Sequence, residues 1–229
     1  MDWKSFWDQP NAIYVSERHR LVHYRLIADD LIALAGEAAP TLLDHGCGEA
    51  LEAERVAAVC SRLYLVDAAP SVRAKLSSRL GSIPGVAVLS PEHVATIADG
   101  SLDLVIANSV LQYLSSDELD ASLALWRAKL KAGGRLVLAD IVQPNVSPLA
   151  DISALLSLAW RHGFFPAALV GLVRTALSPY ARLRKDLGLS MHRETELMAR
   201  LSRFGFSATR ATRNLGHNQA RMTVIAQPA

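Results

Sequence analysis

The feature that most constrains this chain is an apolar strand that runs directly into a turn containing two glycines. Residues 42–50 read LLDHGCGEA, and a helix is predicted over 51–60. Gly46 and Gly48 permit backbone conformations that other residues avoid, and they let a ligand approach the main chain without meeting a Cβ atom. The helix that follows would point its N-terminal amides at the same place. This turn is therefore predicted to bind a ligand.

A second apolar strand ends in an acidic residue, Asp67. A carboxylate at the tip of the second strand can accept hydrogen bonds from both hydroxyls of a ribose. The turn and the acid together indicate a cofactor that carries a nucleoside. A dinucleotide fingerprint requires a small residue three positions after the second glycine, whereas this chain has Leu51 there. The spacing therefore argues against a dinucleotide.

The glycine turn is similar to the first motif of the class I S-adenosylmethionine-dependent methyltransferases, and here it reads Asp44-x-Gly46-x-Gly48-x-Ala50. Two later segments fit the same family, a fourth strand over 102–109 and the approach to a fifth over 130–138. This resemblance covers residues 40–142 and implies S-adenosyl-L-methionine as the cofactor. Because the family usually has glycine in place of Ala50, we expect a slightly tighter pocket.

Strand and helix patterns alternate through the same region, which predicts an α/β fold with a doubly wound sheet. The predicted strands are 41–45, 62–67, 86–89 and 102–108, followed by a fifth entered through 130–138. The predicted helices are 51–60, 70–80, a short one near 92–97, and one that begins at a capping box of Ser115 and Glu118 and ends at Gly133.

The end of the chain completes this pattern with a helix over 194–204 and two strands, 206–213 and 221–227. The short loop 214–218 between these strands favours an antiparallel pair. The family's sheet ends with such a reversed strand. The resemblance therefore implies a doubly wound, mostly parallel, seven-stranded sheet of the Rossmann-like methyltransferase type. At 229 residues the chain is interpreted as a single domain over 1–229.

Two helical regions lie outside the alternating core. Residues 1–36 contain Trp3, Phe6 and Trp7 on one helical face, followed by a helix over 15–35. We interpret 1–36 as a lid over the cofactor, with packing on the core as the alternative. Residues 144–190 are interpreted as a helical insertion that caps the substrate, including a second helix at 167–177 and a third over 178–188. Its alternatives are padding of the core or a dimer contact.

Ligands of open α/β sheets bind beyond the carboxyl ends of the strands, which brings the candidate cofactor residues to one cleft. These candidates are Asp44, His45, Gly46, Cys47, Gly48, Asp67, Ala68, Ser90, Glu92, Asn108 and Ser109. Many relatives carry an acid after strand three that contacts the adenine; here Ser90 or Glu92 could serve, and the sequence does not choose between them. The resemblance also implies that Tyr14, Arg18 or His19 covers the methionine end of the cofactor.

The resemblance implies methyl transfer, in which the sulfonium supplies the reactivity and the protein aligns a nucleophile. A hydroxyl acceptor would benefit from a base, for which histidine is suited near neutral pH. The catalytic candidates are His19, His23 and Tyr113; His162, His192 and His217 are also available. Each of them could equally be structural. The apolar, arginine-containing insertion suits a small hydrophobic acceptor such as a lipid or a secondary metabolite.

Several partners and sites are disfavoured. Residues 108–111 lack the proline-proline-aromatic run that follows Asn or Asp in nucleic-acid amino methyltransferases, so no nucleic acid is expected. His19 and His23 lie one turn apart without an acidic partner, so no metal is expected. Two cysteines do not form a disulfide framework and the N-terminus lacks a signal-peptide pattern, so we expect a cytoplasmic protein, either a monomer or a homodimer.

Charge is distributed unevenly along the chain. The formal net charge is +2, but residues 161–229 carry eleven Lys or Arg against three acids. This basic end could simply face water. Peripheral contact with a membrane through the insertion is the alternative, although no apolar run is long enough to span a bilayer.

Two other functions remain open at this point. A nicotinamide-dependent Rossmann reductase would share the turn and Asp67, but Leu51 and the absence of a Tyr-x-x-x-Lys pair disfavour the short-chain type. A catalytically inactive S-adenosylmethionine-binding partner protein would keep the same binding motifs.

Overall fold

The sheet of this protein has the strand order β3-β2-β1-β4-β5-β7-β6. The structure is a computed structural model that describes residues 3–8, 14–176 and 190–229. Its strands are β1 (Thr41–His45), β2 (Arg62–Val66), β3 (Val86–Leu89), β4 (Leu102–Asn108), β5 (Leu130–Ile141), β6 (Phe206–Arg210) and β7 (Met222–Pro228). The first five are parallel, and β7 runs antiparallel to both β5 and β6. The predicted doubly wound, seven-stranded sheet is therefore confirmed.

Helices flank the sheet between these strands. They are α1 (Trp3–Trp7), α2 (Glu17–Ala35), α3 (Ala53–Ala57), α4 (Pro70–Leu80), α5 (Ser116–Lys129), α6 (Pro148–His162), α7 (Phe165–Ala176) and α8 (Glu194–Arg203), with 3-10 turns at Pro91–Thr96 and Leu111–Tyr113. The capping box predicted at the start of α5 is present: the Ser115 hydroxyl accepts from the Glu118 amide, and the Glu118 carboxylate accepts from the Ser115 amide.

Both faces of the sheet are covered by apolar side chains, because parallel strands in a doubly wound fold are buried on each side. One cluster includes Trp126 of α5 with Leu43, Val105 and Leu138. A second cluster on the other face joins α2 and α3 to alternate residues of the same strands, including Leu42. The central strands are held rigidly by these two layers, which fixes the positions of the loops at their carboxyl ends.

Three predicted boundaries are wrong. The helix expected over 51–60 is the short α3, since residues 49–52 form turns that carry the chain away from the glycines. The helix expected to end at Gly133 ends at Lys129 instead, because Leu130 already pairs with Leu102 in the sheet. The strand expected to reach residue 213 ends at Arg210, where a bend begins.

Two helices of the expected insertion, α6 and α7, lie between β5 and α8. The third helix expected over 178–188 lies outside the described residues. Arg18 of α2 donates a hydrogen bond to the His162 carbonyl at the end of α6. Asp151 of α6 accepts from Arg221 at 2.7 Å, next to the start of β7. The α6–α7 hairpin is thus anchored to α2 and to the β6–β7 connection.

Across the described residues, none of the helices is both long enough and apolar enough to cross a membrane.

Candidate functional site

The turn after β1 is shaped by close contacts that only glycine allows. Gly46 has φ +79°, and a Cβ atom added there would lie 2.4 Å from Cγ2 of Val110. Gly48 has φ +58°, and its Cβ would lie 2.8 Å from the Tyr24 hydroxyl oxygen. The Gly46 amide also donates to the Val66 carbonyl at 2.7 Å, which fixes the turn against β2. Val110 and the Tyr24 hydroxyl therefore approach the backbone of the turn more closely than a side chain at either position would permit.

Asp67 joins this turn to the loop that follows β2. Its Oδ2 accepts a hydrogen bond from the Gly48 amide at 3.0 Å, and its Oδ1 accepts from the Ala69 amide at 2.9 Å. Arg73 supports the loop from below by donating to the Asp67 and Ala68 carbonyls, both at 2.8 Å. Burial raises the pKa of Asp67, while the bonds from Ala69 and Gly48 oppose this shift. Two strand ends are thus connected through one carboxylate.

Asp44 lies beneath the turn at the end of β1. Burial raises the pKa of the Asp44 carboxyl to about 7, with a smaller contribution from the nearby Asp67. The adjacent His45 is also buried, and burial lowers its pKa to about 4. Trp126 donates from its indole nitrogen to His45 Nδ1 at 3.4 Å. Burial likewise raises the pKa of the Cys47 thiol, so this cysteine is not a reactive thiolate. Burial therefore keeps His45 and Cys47 uncharged at neutral pH, whereas the Asp44 carboxyl titrates in the neutral range.

The ends of β3 and β4 supply further polar groups. The Ser90 hydroxyl lies 2.7 Å from Nδ1 of His93, in a turn that also contains Glu92. Asn108 closes β4, and its buried Oδ1 lacks a hydrogen-bond partner among the residues described here. The neighbouring Ser109 donates to Asp140 Oδ2 at 2.6 Å. An unpaired buried acceptor is costly, so Asn108 Oδ1 is a position at which a ligand donor would be stabilised.

The N-terminal helix bridges two of these loops. Trp3 of α1 stacks on Tyr113 with ring centroids 6.0 Å apart, and Trp7 meets the same ring edge-on at 5.7 Å. Asp8 then accepts a hydrogen bond from the Ser71 amide at 2.8 Å. Since Ser71 follows the Asp67 loop and Tyr113 follows β4, α1 is held over the edge of the cleft.

The start of α2 places an aromatic group beside the glycine turn. The Tyr24 hydroxyl accepts a hydrogen bond from the Glu49 amide at 3.0 Å. Tyr14 lies next to it, with ring centroids 6.0 Å apart. His19 is buried and stacks on Phe164, with ring centroids 5.3 Å apart. The ring of His23 contacts Tyr14. Of the residues predicted in this segment, Tyr14 lies beside the tyrosine that contacts the turn, His19 packs on Phe164, and Arg18 donates to the His162 carbonyl.

Two other histidines lie elsewhere. The His162 carbonyl accepts a hydrogen bond from Arg18. The His192 amide donates to the Val142 carbonyl at 2.9 Å. In residues 3–8, 14–176 and 190–229, the His, Cys, Asp and Glu side chains do not form a group of three or more that could hold a metal ion.

Sequence reasoning missed three residues that shape the site. Tyr24 braces the turn through Glu49, and Arg79 donates to the Glu49 and Ala50 carbonyls at 2.9 and 2.6 Å. Asp140 accepts from Ser109 at the end of β5. Tyr24 lies one turn after Arg20, which pairs with Glu49 at 2.7 Å, but this contact between α2 and the glycine turn has no signal in the sequence. The contact of Arg79 crosses between two βα units, for which a single sequence carries no signal.

Comparison with known proteins identifies the domain that carries this site. Residues 43–138 match the family model described as a methyltransferase domain. This part of the chain is therefore similar to a methyltransferase domain. The match runs from within β1 to β5, so it includes the glycine turn, Asp67 and the end of β4.

A curated relative of this chain is distant. The chain is 28% identical over 190 residues to the biotin biosynthesis bifunctional protein BioCD of Bordetella avium. That alignment includes 81% of this chain but only 39% of the relative, so the chain spans well under half of that protein's length.

Solved structures share the fold of this chain over nearly its whole length. The magnesium protoporphyrin IX methyltransferase ChlM of Synechocystis, solved with bound SAH (S-adenosylhomocysteine), superimposes with a TM-score of 0.60 at 16% identity, covering 99% of this chain and 93% of that one. A DhpI–SAH complex superimposes with a TM-score of 0.58 at 14% identity, covering 99% and 91%. At such low identity these similarities show the fold.

Proposed function

We propose that this protein binds S-adenosyl-L-methionine and transfers its methyl group to a small-molecule acceptor. The observation that carries this proposal is the bond between the Gly48 amide and the Asp67 carboxylate. It joins the glycine turn after β1 to the acid after β2, at the carboxyl ends of two neighbouring strands, where ligands of doubly wound sheets bind. The SAH-bound relatives share this fold.

The residues present fit such a cofactor. Gly46 is exposed at the turn, and the buried Oδ1 of Asn108 lacks a hydrogen-bond partner in the described structure, so a ligand donor would be stabilised there. Asp67 would accept from the ribose hydroxyls, and Ser90 or Glu92 would face the adenine. The remaining proposed contacts are Asp44, His45, Cys47, Ala68, Ser109 and Tyr14.

When bound, the cofactor supplies an electrophilic methyl group on its sulfonium. The chain's own contribution is to orient the acceptor in line with that methyl and to exclude water, which can lower a barrier by up to roughly 7–11 kcal/mol in favourable intramolecular cases. The buried His45 is neutral near pH 7 and the Asp44 carboxyl titrates there, so the floor of the site carries little fixed charge opposite the sulfonium.

The two helical regions are proposed to enclose this cleft. Residues 1–36 would act as a lid, supported by the contacts of Trp3 and Trp7 with Tyr113. Residues 144–190 would cap the acceptor, supported by the packing of Phe164 against His19. A hydrophobic acceptor is favoured by this aromatic lining. Peripheral membrane contact, a monomeric or homodimeric state and a cytoplasmic location stay predictions.

Thermal unfolding measured by differential scanning calorimetry, with each ligand in turn, tests which cofactor the protein binds. Ligands that bind only the folded state at 100 times their Kd stabilise it by about 2.7 kcal/mol. We expect Tm to rise with S-adenosylmethionine and SAH and to stay unchanged with NADPH. A rise with NADPH alone would favour the reductase, whereas binding of SAH without any methyl transfer would favour the inactive partner protein.

A further inference from the structure

The α6–α7 hairpin exposes a group of large apolar side chains to solvent. Among the described residues, eight large hydrophobic side chains are exposed, and six of them lie in these two helices. We call these six the outer face; they are Leu149, Ile152, Trp160, Leu169, Val170 and Val173. Single exposed apolar residues are ordinary, whereas a concentration of them marks an interaction surface.

Helical spacing brings the side chains of the outer face together. On α6 they are separated by three and eight positions, and on α7 by one and three positions, so each set lies along one side of its helix. The Trp160 ring meets Phe165 edge-on with centroids 5.6 Å apart, which joins the two rows. Trp160 is 75% exposed, Leu149 71% and Val173 65%, so the rows project into solvent.

The opposite side of the hairpin is already buried. Leu158, Ala159, Phe164 and Ala168 form a core cluster, against which partly buried residues of α2 pack. This cluster attaches the hairpin to the domain without any contribution from the outer face. The outer face is therefore not needed for the fold of the hairpin and is available to a partner.

The charged groups of the hairpin leave its surface basic. Arg161 and Arg174 are exposed in the last turns of α6 and α7, and within the described ranges neither forms an ion pair. Asp151 is the one acid in the sequence between residues 144 and 176. Its carboxylate accepts from Asn218 at 2.8 Å and from Arg221 at 2.7 Å, so its charge is offset by the β6–β7 connection.

The start of α2 adds to this positive charge at the tip of the hairpin. Arg18 is exposed there and donates to the His162 carbonyl. The preceding acid, Glu17, accepts from Arg20 at 2.7 Å, so its charge is offset locally. The outer face thus combines exposed apolar side chains with neighbouring arginines.

We propose that the outer face docks on the headgroup region of an anionic phospholipid bilayer. Its aliphatic side chains and Trp160 would enter the boundary between headgroups and acyl chains, where tryptophan is enriched in membrane proteins. Arg161 and Arg174 would lie level with the lipid phosphates, to which basic residues are attracted. The hairpin would lie in the plane of the interface. This inference goes beyond the proposed function and does not depend on which acceptor is methylated.

Charge favours a bilayer over two other partners. In a twofold contact the same patch faces itself, so Arg161 and Arg174 of two copies would meet without an acid of the outer face to offset them. A nucleic acid would match the charge, but its contacts are dominated by phosphates, which would leave the apolar side chains without a partner. An anionic bilayer satisfies both the charge and the apolar surface.

Co-sedimentation with lipid vesicles tests this proposal. The full chain, without cofactor, is mixed with vesicles of phosphatidylcholine alone or of phosphatidylcholine with phosphatidylglycerol. We expect binding to the vesicles that contain phosphatidylglycerol and little binding to the others. Binding should weaken when salt is raised from about 0.1 M to about 1 M, because the Debye length falls from about 10 Å to about 3 Å.

Substitutions at exposed positions separate the apolar from the charged contribution. Trp160→Ser and Val173→Ser should each weaken binding about tenfold or more, as expected for an apolar side chain that leaves water. Met191→Ser, in an exposed apolar residue outside the hairpin, is their control and should bind like the wild type. Arg174→Gln should weaken binding about fivefold. Its control is Arg62→Gln, in an exposed arginine at the amino end of β2.

Unchanged circular dichroism and Tm of these variants show that each one is folded. No binding to phosphatidylglycerol vesicles, equal binding to both kinds of vesicle, or equal binding of wild type, Trp160→Ser and Val173→Ser would overturn the inference. Dimerisation in sedimentation velocity that is lost in Trp160→Ser would overturn it in favour of a second copy. Since vesicle binding is measured without cofactor, these outcomes are independent of whether the protein binds SAH.

Discussion

The Gly48 amide donates to Oδ2 of Asp67 at 3.0 Å, so the loops after β1 and β2 are joined before any ligand binds. The second oxygen of the same carboxylate is held by the Ala69 amide. A side chain fixed at both oxygens loses little rotamer entropy on binding, which is the advantage of preorganisation. Asp67 therefore has a structural role, and we expect it to bind the cofactor as well.

This arrangement predicts that Asp67→Ala weakens the binding of SAH and also destabilises the turn. Loss of a charged acceptor costs about 1.5–3 kcal/mol, which corresponds to a tenfold to hundredfold rise in Kd. Asp67→Asn, which keeps one oxygen, should have a smaller effect. Asp117→Ala removes an exposed carboxylate in α5 and serves as the control. Equal affinities for all variants in equilibrium dialysis would contradict the assignment of Asp67.

Gly46 offers a test of the close approach between the turn and the loop after β4. Gly46→Ala combines an unfavourable φ with a Cβ atom 2.4 Å from Val110, and overpacking of this kind costs about 1–3 kcal/mol. Gly100→Ala is a matched control, since Gly100 has φ +60° and open space around its Cβ. In urea unfolding, Gly46→Ala should be the more destabilised of the two, and Val110→Ala should partly rescue it. Equal losses would show that the steric contact is unimportant.

Burial of the His45 imidazole predicts that the free energy of unfolding falls on acidification. Burial lowers its pKa to about 4 in the folded protein, against about 6.5 when unfolded. The stabilisation is therefore complete above pH 6.5 and is lost as the pH falls towards 4, by about 1–2 kcal/mol between pH 7 and 5. Urea unfolding of His45→Asn should show a shallower dependence on pH over that window. An unchanged slope would contradict a buried neutral imidazole.

The contacts of Tyr113 with Trp3 and Trp7 predict that the N-terminal helix slows ligand release. Removing its ring in Tyr113→Ala abolishes the contacts with Trp3 and Trp7, and each aromatic pair contributes about 0.5–1.5 kcal/mol beyond its buried area. We expect dissociation of SAH to accelerate several-fold in stopped-flow fluorescence, with a smaller effect for Tyr113→Phe. If dissociation is as slow as in the wild type, α1 does not act as a lid.

The sheet could be predicted because its signals are local. The apolar runs at 41–45 and 86–89 are bounded by turn residues, and the structure has β1 and β3 at those positions. The end of α5 could not be predicted in the same way. Gly133 is a typical helix terminator, but pairing of Leu130 with Leu102 takes the chain into the sheet earlier. Tertiary contacts override local propensity at that point.

The candidate site also combines features that local sequence predicts with features that it does not. The positions of the glycines and of Asp67 could be predicted from their spacing, because each belongs to a single βα unit. The contacts of His217 with His19 and His23 could not be predicted, because His217 lies in the β6–β7 loop and the other two lie in α2. These contacts depend on how the β6–β7 loop packs on α2, and a single sequence carries no local signal for that packing.

Isothermal titration with SAH, run beside a titration with NADPH, shows directly which cofactor the cleft binds. We expect one site per chain with micromolar affinity for SAH, weaker affinity in Asp67→Ala, and no heat from NADPH beyond dilution. Absence of SAH binding, or preferential binding of NADPH, would contradict the assignment of this cleft to S-adenosylmethionine.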